Sequence, residues 1–285
     1  MTDKLFIIGN GFDIHHGLKT SYADFREYIM KKKRFLYEAL LEVYGDAPEQ
    51  IEWWWNFEEM LGYIDYKNIA NLKNGEALGF MRVKSLLKGK LPPLFGTWIE
   101  SINDNIELEE ELGIESDAFF FTFNYTMILE KYYHINEDNV WHIHNSIKDF
   151  KKGENPIVGH DSSRSELFKQ LIKSREQNPS IRPDISNAIM EEVLNGAKDV
   201  NGNIYRSVKE HKFDQYANIK HFVVMGFSFN NIDLPYINEI VKVNSSIDDA
   251  DWTLYCYKDG EYERMTNQLL SIGIRKEKIL SPKSW

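Results

Sequence analysis

The sequence predicts an α/β fold built on a mainly parallel sheet, and three observations predict it. An apolar run, Leu5 to Ile8, leads straight into Gly9-Asn10-Gly11-Phe12-Asp13. The same grammar of a short apolar strand followed by small polar residues recurs three times. Phe119-Phe120-Phe121 runs into Thr122-Phe123-Asn124-Tyr125-Thr126, Trp141-His142-Ile143 into His144-Asn145-Ser146, and Phe222-Val223-Val224-Met225 into Gly226-Phe227-Ser228-Phe229. Between several of these strands lie stretches of helical periodicity, the pattern of βαβ units. The fold class expected is a Rossmann-like sheet with helical insertions. Parallel sheets bind ligands at the carboxyl ends of their strands, so the four segments point to a nucleotide site assembled from separate loops.

In chain order, residues 4–8, 119–123, 140–143, 221–225 and 252–257 read as strands, short and rich in aromatic or β-branched residues. Ser21 with Asp24 forms a capping box before Tyr22, Phe25 and Ile29, which recur at helical spacing. Asp233 caps a further helix with Pro235 in its first turn and Ile237, Ile240 and Val241 as its apolar stripe. Two stretches break the strand rhythm. Residues from about 26 to 115 are helical in pattern and carry Trp53, Trp54, Trp55 and Trp98; residues from about 163 to 218 are polar, with Pro179, Pro183 and Asn201-Gly202-Asn203 as breakers. Both read as helical insertions into a single Rossmann-like domain spanning residues 1–285, of the kind that form walls or lids over a site.

Composition narrows the function classes. The 285 residues carry a formal net charge of −10, which gives no general surplus of cations for neutralising nucleic-acid phosphates. The one dense basic run, Lys31 to Arg34, reads as a solvated helix end. No window matches the roughly 20 apolar residues of a membrane span, and the apolar run after Met1-Thr2-Asp3-Lys4 is too short for a secretory signal. A cytoplasmic protein is expected, with neither membrane nor nucleic acid as partner. A lone cysteine, Cys256, rules out an internal disulfide and reads as a small buried hydrophobe in its strand.

Each polar loop offers chemistry. Gly9 and Gly11 lack the Cβ that would keep a phosphate or ribose from the backbone, although Ile14 stands where the dinucleotide fingerprint has a third glycine. Asp13 either holds a ribose hydroxyl or caps the next helix. Asn124 ends an apolar strand, where a carboxamide is costly unless its donors and acceptor are used; it either orients a water or ribose hydroxyl or satisfies a turn. His142 and His144 alternate, so on a strand both imidazoles share a face. His144, nearer the strand end, suits a general base; His142 reads better as a core histidine. A metal site with His160 or Asp161 needs convergent ligands and is not predicted. Gly226-Phe227-Ser228 lacks the nucleophile elbow's final glycine, Asn230 being in its place. The last histidine, His221, precedes it, so Ser228 reads as a ligand-binding hydroxyl.

These segments resemble the bacteriophage abortive infection AbiH family. The resemblance rests on Phe6-Ile7-Ile8-Gly9-Asn10-Gly11-Phe12-Asp13 with His16-Gly17-Leu18-Lys19-Thr20-Ser21-Tyr22, on Trp55-Asn56-Phe57-Glu58-Glu59, and on Phe121-Thr122-Phe123-Asn124-Tyr125-Thr126. It continues through His142-Ile143-His144, Val158-Gly159-His160, and Gly226-Phe227-Ser228 with Asp233. More distantly, the chain is similar to the sirtuin-like NAD hydrolases of bacterial anti-phage defence. That likeness implies a first loop, Gly9, Asn10, Gly11 and Asp13, around the dinucleotide. It also implies a catalytic Asn124 in a Thr-x-Asn segment beginning at Thr122, a base in His144, and nucleotide contacts from Thr122, Gly226, Ser228 and Asp233. Asn145 departs from the pattern, which has glycine after the histidine, and the four-cysteine zinc module of protein deacylases is missing. The function implied is an abortive-infection effector that binds NAD and hydrolyses it to nicotinamide and ADP-ribose, with NAD as substrate and no metal. Toxicity held in check until infection is implied too, with a phage-derived trigger or a homo-oligomer as candidate partners.

Three other readings compete. A nucleotide-binding sensor would use the same loops without chemistry. A metal-dependent nuclease or phosphohydrolase would use Asp13, His142, His144 and His160. A pure interaction module would dock through the tryptophan-rich insertion.

Overall fold

The computed structural model describes residues 2–62, 90–103, 112–161 and 196–284. The chain divides into two compact units, the first comprising Met1–Lys19, Ile102–Lys148 and Val200–Trp285, the second Thr20–Ser101 and Asp149–Asp199. Much of the expected 163–218 insertion falls in residues 162–195, outside the described residues, as do residues 63–89 and 104–111 of the expected 26–115 insertion.

The first unit is built on a six-stranded, wholly parallel sheet: β1 (Lys4–Ile8), β2 (Phe119–Thr122), β3 (Val140–His142), β4 (His221–Met225), β5 (Asp251–Cys256) and β6 (Lys283–Ser284). The spatial order is β3-β2-β1-β4-β5-β6, the doubly wound order of Rossmann-like folds. In register, Ile8 pairs with Thr122 on one side and with Met225 on the other, so the loops after β1, β2 and β4 emerge level with one another. The chain reverses its direction of travel across the sheet between β1 and β4, which makes that junction the switch point at which such sheets bind ligands.

Because both faces of a parallel sheet are covered, its strands are apolar at consecutive positions. Alternate residues feed different cores. Leu5, Ile7, Phe121, Phe222, Val224, Trp252 and Leu254 lie in one buried cluster, and Phe6, Ile8, Phe120 and Met225 in another. The helices of this unit are short α1 (Asn10–His15), α7 (Ile128–Lys131), α9 (Val200–Lys209), α10 (Leu234–Val243) and α11 (Glu261–Ser271). α10 bridges β4 to β5 and α11 bridges β5 to β6, completing two βαβ units. Ile237 and Ile240 of α10 are buried and Val241 half-buried, as their spacing predicts. Cys256 closes β5 and is only half-buried, because it sits at the strand's last residue rather than inside it.

The second unit is helical where it is described: α2 (Tyr22–Lys32), α3 (Arg34–Tyr44), α4 (Ile51–Trp55), α5 (Phe57–Met60) and α6 (Leu91–Asn103). α8 (Ile147–Lys151) runs from the first unit into the second. The capping box before α2 is present, with the Ser21 hydroxyl accepting from the Asp24 amide and Asp24 accepting from the Ser21 amide. Phe25 anchors an aromatic core, 4.9 Å from Trp98, 5.2 Å from Phe95 and 5.7 Å from Phe57 by ring centroids. Trp54 stacks on Phe57 and donates its indole N–H to the Pro48 carbonyl. Trp55, by contrast, is exposed. The basic run Lys31–Arg34 is exposed at the junction of α2 and α3, with Lys31 paired to Glu27 and Arg34 to Glu38.

Candidate functional site

The four loops converge. After β1 and β4 the backbones interlock: the Gly9 amide donates to the Met225 carbonyl at 3.0 Å and the Gly11 amide to the Gly226 carbonyl at 2.9 Å. The contact is close enough to exclude side chains. A Cβ on Gly9 would lie 2.6 Å from the Gly226 oxygen, and one on Gly226, whose φ is +66°, would lie 2.1 Å from the Phe12 nitrogen. The glycines thus serve backbone-to-backbone packing at the switch point. Their two amides are spent on carbonyls at the last residue of β4 and the residue after it, a use the Gly-x-Gly pattern does not reveal.

The loop after β2 joins them through Asn124, which is 4% exposed. Its carboxamide nitrogen donates to the Gly9 carbonyl at 3.1 Å and to Asp13 Oδ1 at 2.8 Å. Both partners are acceptors, so the orientation of the amide is determined by its neighbours. Asn124 Oδ1 is buried and makes no hydrogen bond among the described residues. Thr126 donates its hydroxyl to the other Asp13 oxygen at 2.8 Å. Both oxygens of Asp13 are therefore hydrogen-bonded inside the protein. Burial pushes its carboxyl from 3.8 up to about 7; the hydrogen bonds from Thr126 and Asn124 and the nearby His142 pull it down, while Glu130 raises it. Thr122 is buried, its hydroxyl oxygen accepting the Asn124 backbone amide at 3.1 Å, so it shapes the strand end.

β3 ends at His142, and the chain turns before His144, so the two imidazoles take different partners. His142 Nδ1 donates to the Asn124 backbone carbonyl at 2.8 Å, while Nε2 faces Glu130 Oε1 at 2.9 Å. Two acceptors around one ring suit the doubly protonated imidazole paired with a carboxylate, and both side chains are 8% exposed. His144 is 2% exposed and sits among the rings of Phe123, Tyr125 and Tyr236. Its Nε2 lies 3.3 Å from Asp233 Oδ1, an ion-pair distance without hydrogen-bond alignment. Asp233 does precede α10 with Pro235 in the first turn, but its side chain does not cap the helix. Asn145 adopts φ +64°, the left-handed conformation that glycine favours and asparagine tolerates.

The fourth loop contributes Phe227, stacked 4.2 Å from Phe123, which in turn contacts the His144 ring at 5.5 Å. Ser228 is exposed, and its carbonyl accepts from Arg264. Asn10 is exposed at the start of α1. His160 lies in the second unit, its Nδ1 donating to the Asp161 carbonyl. Among the described residues no group of three or more His, Cys, Asp or Glu side chains is placed to hold a metal ion. None of the helices there is long and apolar enough to cross a membrane.

The family model described as bacteriophage abortive infection AbiH matches residues 5–85 and 76–256, which takes in every loop of this cluster. The chain belongs to the AbiH family. Comparison with curated proteins and with solved structures finds no match.

Two AbiH segments outside the first unit acquire a physical role. In the second unit, Lys198 Nζ donates to Glu58 Oε2 at 3.0 Å, and the Gly159 amide approaches Glu58 Oε1 at 3.5 Å. His160 pairs with Ala197 as a parallel bridge, and a Cβ on Gly159 would meet the Gly196 oxygen at 2.3 Å. Glu58 of the Trp55–Glu59 segment and Gly159-His160 are therefore parts of one buried clamp around Lys198.

Sequence reasoning did not find Glu130, Lys198 or the role of Thr126. Glu130 follows the apolar pair Ile128-Leu129 as any helix-surface glutamate does, so it carries no signal. Lys198 is isolated in sequence from its partner, and only the recurrence of Thr126 within an AbiH segment marked that position.

Proposed function

We propose that this AbiH protein is an abortive-infection effector that binds NAD and hydrolyses it to nicotinamide and ADP-ribose. One observation carries the reading. Asn124 and His144, at the carboxyl ends of adjacent strands, each keep a buried polar atom, Oδ1 and Nε2, without a hydrogen bond among the described residues. Leaving such atoms unmet costs about 1–3 kcal/mol each, so they are poised to meet a ligand or a water. The loop order and the distant likeness to sirtuin-like NAD hydrolases support the choice of NAD.

In this reading the nicotinamide–ribose bond breaks through an oxocarbenium-like transition state. The leaving group departs as a neutral pyridine and needs no proton. Asn124 Oδ1 accepts a hydrogen bond from the attacking water and holds it at the anomeric carbon. His144 takes the water's proton as the C–O bond forms, and the Asp233 carboxylate 3.3 Å away steadies the resulting imidazolium. NAD and water thus become nicotinamide, ADP-ribose and one proton. Because the Gly9 and Gly11 amides are already spent, contacts to the rest of the dinucleotide fall to the exposed Asn10 and Ser228 beside Gly226.

The test is NAD consumption by the purified protein, with products separated by chromatography, a chelator control, and extract of phage-infected cells as activator. Nicotinamide and ADP-ribose from the wild type, with none from Asn124→Ala, is the expected result. Intact NAD under every condition with a folded protein overturns the reading and favours a nucleotide sensor.

A further inference from the structure

Asp13 is expected either to hold a ribose hydroxyl or to cap a helix; in the structure both of its oxygens are hydrogen-bonded to side chains of the loop after β2. It lies within the last turn and a half of α1, is 1% exposed, and spends Oδ1 on Asn124 and Oδ2 on Thr126. We propose that Asp13 is the positioning residue of the site: by holding the carboxamide nitrogen of Asn124 it fixes the buried Oδ1 on the opposite side of the carboxamide, as the atom that Asn124 keeps for a ligand or a water. This rests on the hydrolase reading only for its consequence on turnover, since the orientation itself is a property of the free protein.

Three elements supply the restraint. The Gly9 carbonyl and Asp13 Oδ1 hold one end of the carboxamide. Thr126, two residues beyond Asn124, keeps the Asp13 carboxylate from rotating by donating to its second oxygen. The His142–Glu130 pair grips the Asn124 backbone carbonyl from the other side. A carboxamide can rotate by a half-turn and exchange its acceptor for its donor at almost no cost in shape. Here that rotation would set Oδ1 against two acceptors, the Gly9 carbonyl and the carboxylate. Without Asp13, the longer 3.1 Å contact to Gly9 is what remains among the described residues to resist it. An asparagine at position 13 keeps an acceptor for Asn124 and offers its own N–H₂ to the Thr126 hydroxyl oxygen, so shape and orientation survive there without the charge.

The experiment is side-chain amide NMR on asparagine-labelled protein, with Asn124 assigned by the signal lost in Asn124→Ala, alongside steady-state kinetics with NAD. In Asp13→Ala the Asn124 amide signals move toward those of free asparagine and exchange with water at least about tenfold faster. In Asp13→Asn they stay near the wild-type position. Turnover follows the same order: kcat falls by about 10²-fold in Asp13→Ala with KM within about threefold, and recovers in Asp13→Asn. Asp13→Ser, too short to span the 2.8 Å contact, takes its place if the alanine variant does not fold. Unchanged Asn124 signals in a folded Asp13→Ala or Asp13→Ser protein overturn the proposal. A raised KM with unchanged kcat also overturns it, because Asp13 would then touch the ligand itself. If the wild type does not consume NAD, the hydrolase reading fails while the NMR result still decides the role of Asp13.

Discussion

His144 Nε2 lies 3.3 Å from Asp233 Oδ1, joining the loop after β3 to the residue that precedes α10. In the proposed mechanism His144 is the base, and the carboxylate of Asp233 is the charged group placed to steady the imidazolium it becomes. Asp233→Asn keeps the shape and removes the charge. Its expected effect is a loss of about 10²-fold in kcat for NAD hydrolysis, with the circular dichroism spectrum and melting temperature near the wild type. Full turnover in the folded variant removes Asp233 from the mechanism.

Asn124→Ala and His144→Ala are expected to abolish hydrolysis while the protein stays folded, each group contributing about 10²–10⁴-fold. Both side chains sit at strand ends and not among the apolar residues of β1, β2 and β4 that dominate the two cores. Product assays on variants with native spectra check this residue by residue.

The interlock between the first and fourth loops makes Gly226 the least replaceable glycine of the site. Gly226→Ala combines a left-handed φ with a Cβ 2.1 Å from the Phe12 nitrogen, and is expected to cost more than about 3 kcal/mol. Gly17 also has a positive φ, +77°, but a Cβ there meets nothing within 4 Å. Gly17→Ala should cost only about 1–2 kcal/mol, for backbone strain alone. Urea denaturation of the pair separates crowding from strain.

Asp13 imposes a pH dependence whose sign follows from burial. Its folded-state pKa, about 7, stands above the ordinary 3.8, so the folded protein binds the extra proton. The stability this contributes is fully present below about pH 3.8 and is lost as pH rises through about 7. His16 acts in the opposite sense: burial lowers its pKa, so its contribution is lost as pH falls below 6.5. Asp13→Asn isolates the first effect. The stability of the wild type relative to this variant should fall steadily between pH 4 and pH 7 and level off above, as urea midpoints across that range would show.

In the second unit, Lys198→Met removes the buried cation 3.0 Å from the half-buried Glu58 carboxylate and should destabilise by about 1–3 kcal/mol. Replacing both partners, Glu58→Leu with Lys198→Met, should recover part of that loss. Equal losses in single and double variants would mean that the pair's charge is not what the site requires.

The sheet was legible in the sequence because burial on both faces forces consecutive apolar residues, and such runs stop where a loop must turn. That is why residues 4–8 and 221–225 were located to the residue. β6 escaped notice because two exposed residues, Lys283 and Ser284, pair only through backbone groups and leave no apolar signature. The capping box at Ser21 was equally readable, since both of its hydrogen bonds join residues three apart. Asp233 shows the limit of such local rules. Its position before Pro235 marked a helix start correctly, yet its carboxylate lies 3.3 Å from His144, a residue on the far side of the sheet order β3-β2-β1-β4 that no local rule brings near.

The sequence by itself determined five of the six described strands, the α/β class, the AbiH segments and the loops that carry Asn124 and His144, all of which depend on neighbours along the chain. Only the tertiary structure decided the strand order, the use of the Gly9 and Gly11 amides within the protein, and the partners of Asp13, His142 and Glu58. Those depend on residues from 12 to 216 positions apart. Whether a buried polar group binds a ligand or its own protein is settled by which acceptor reaches it in space.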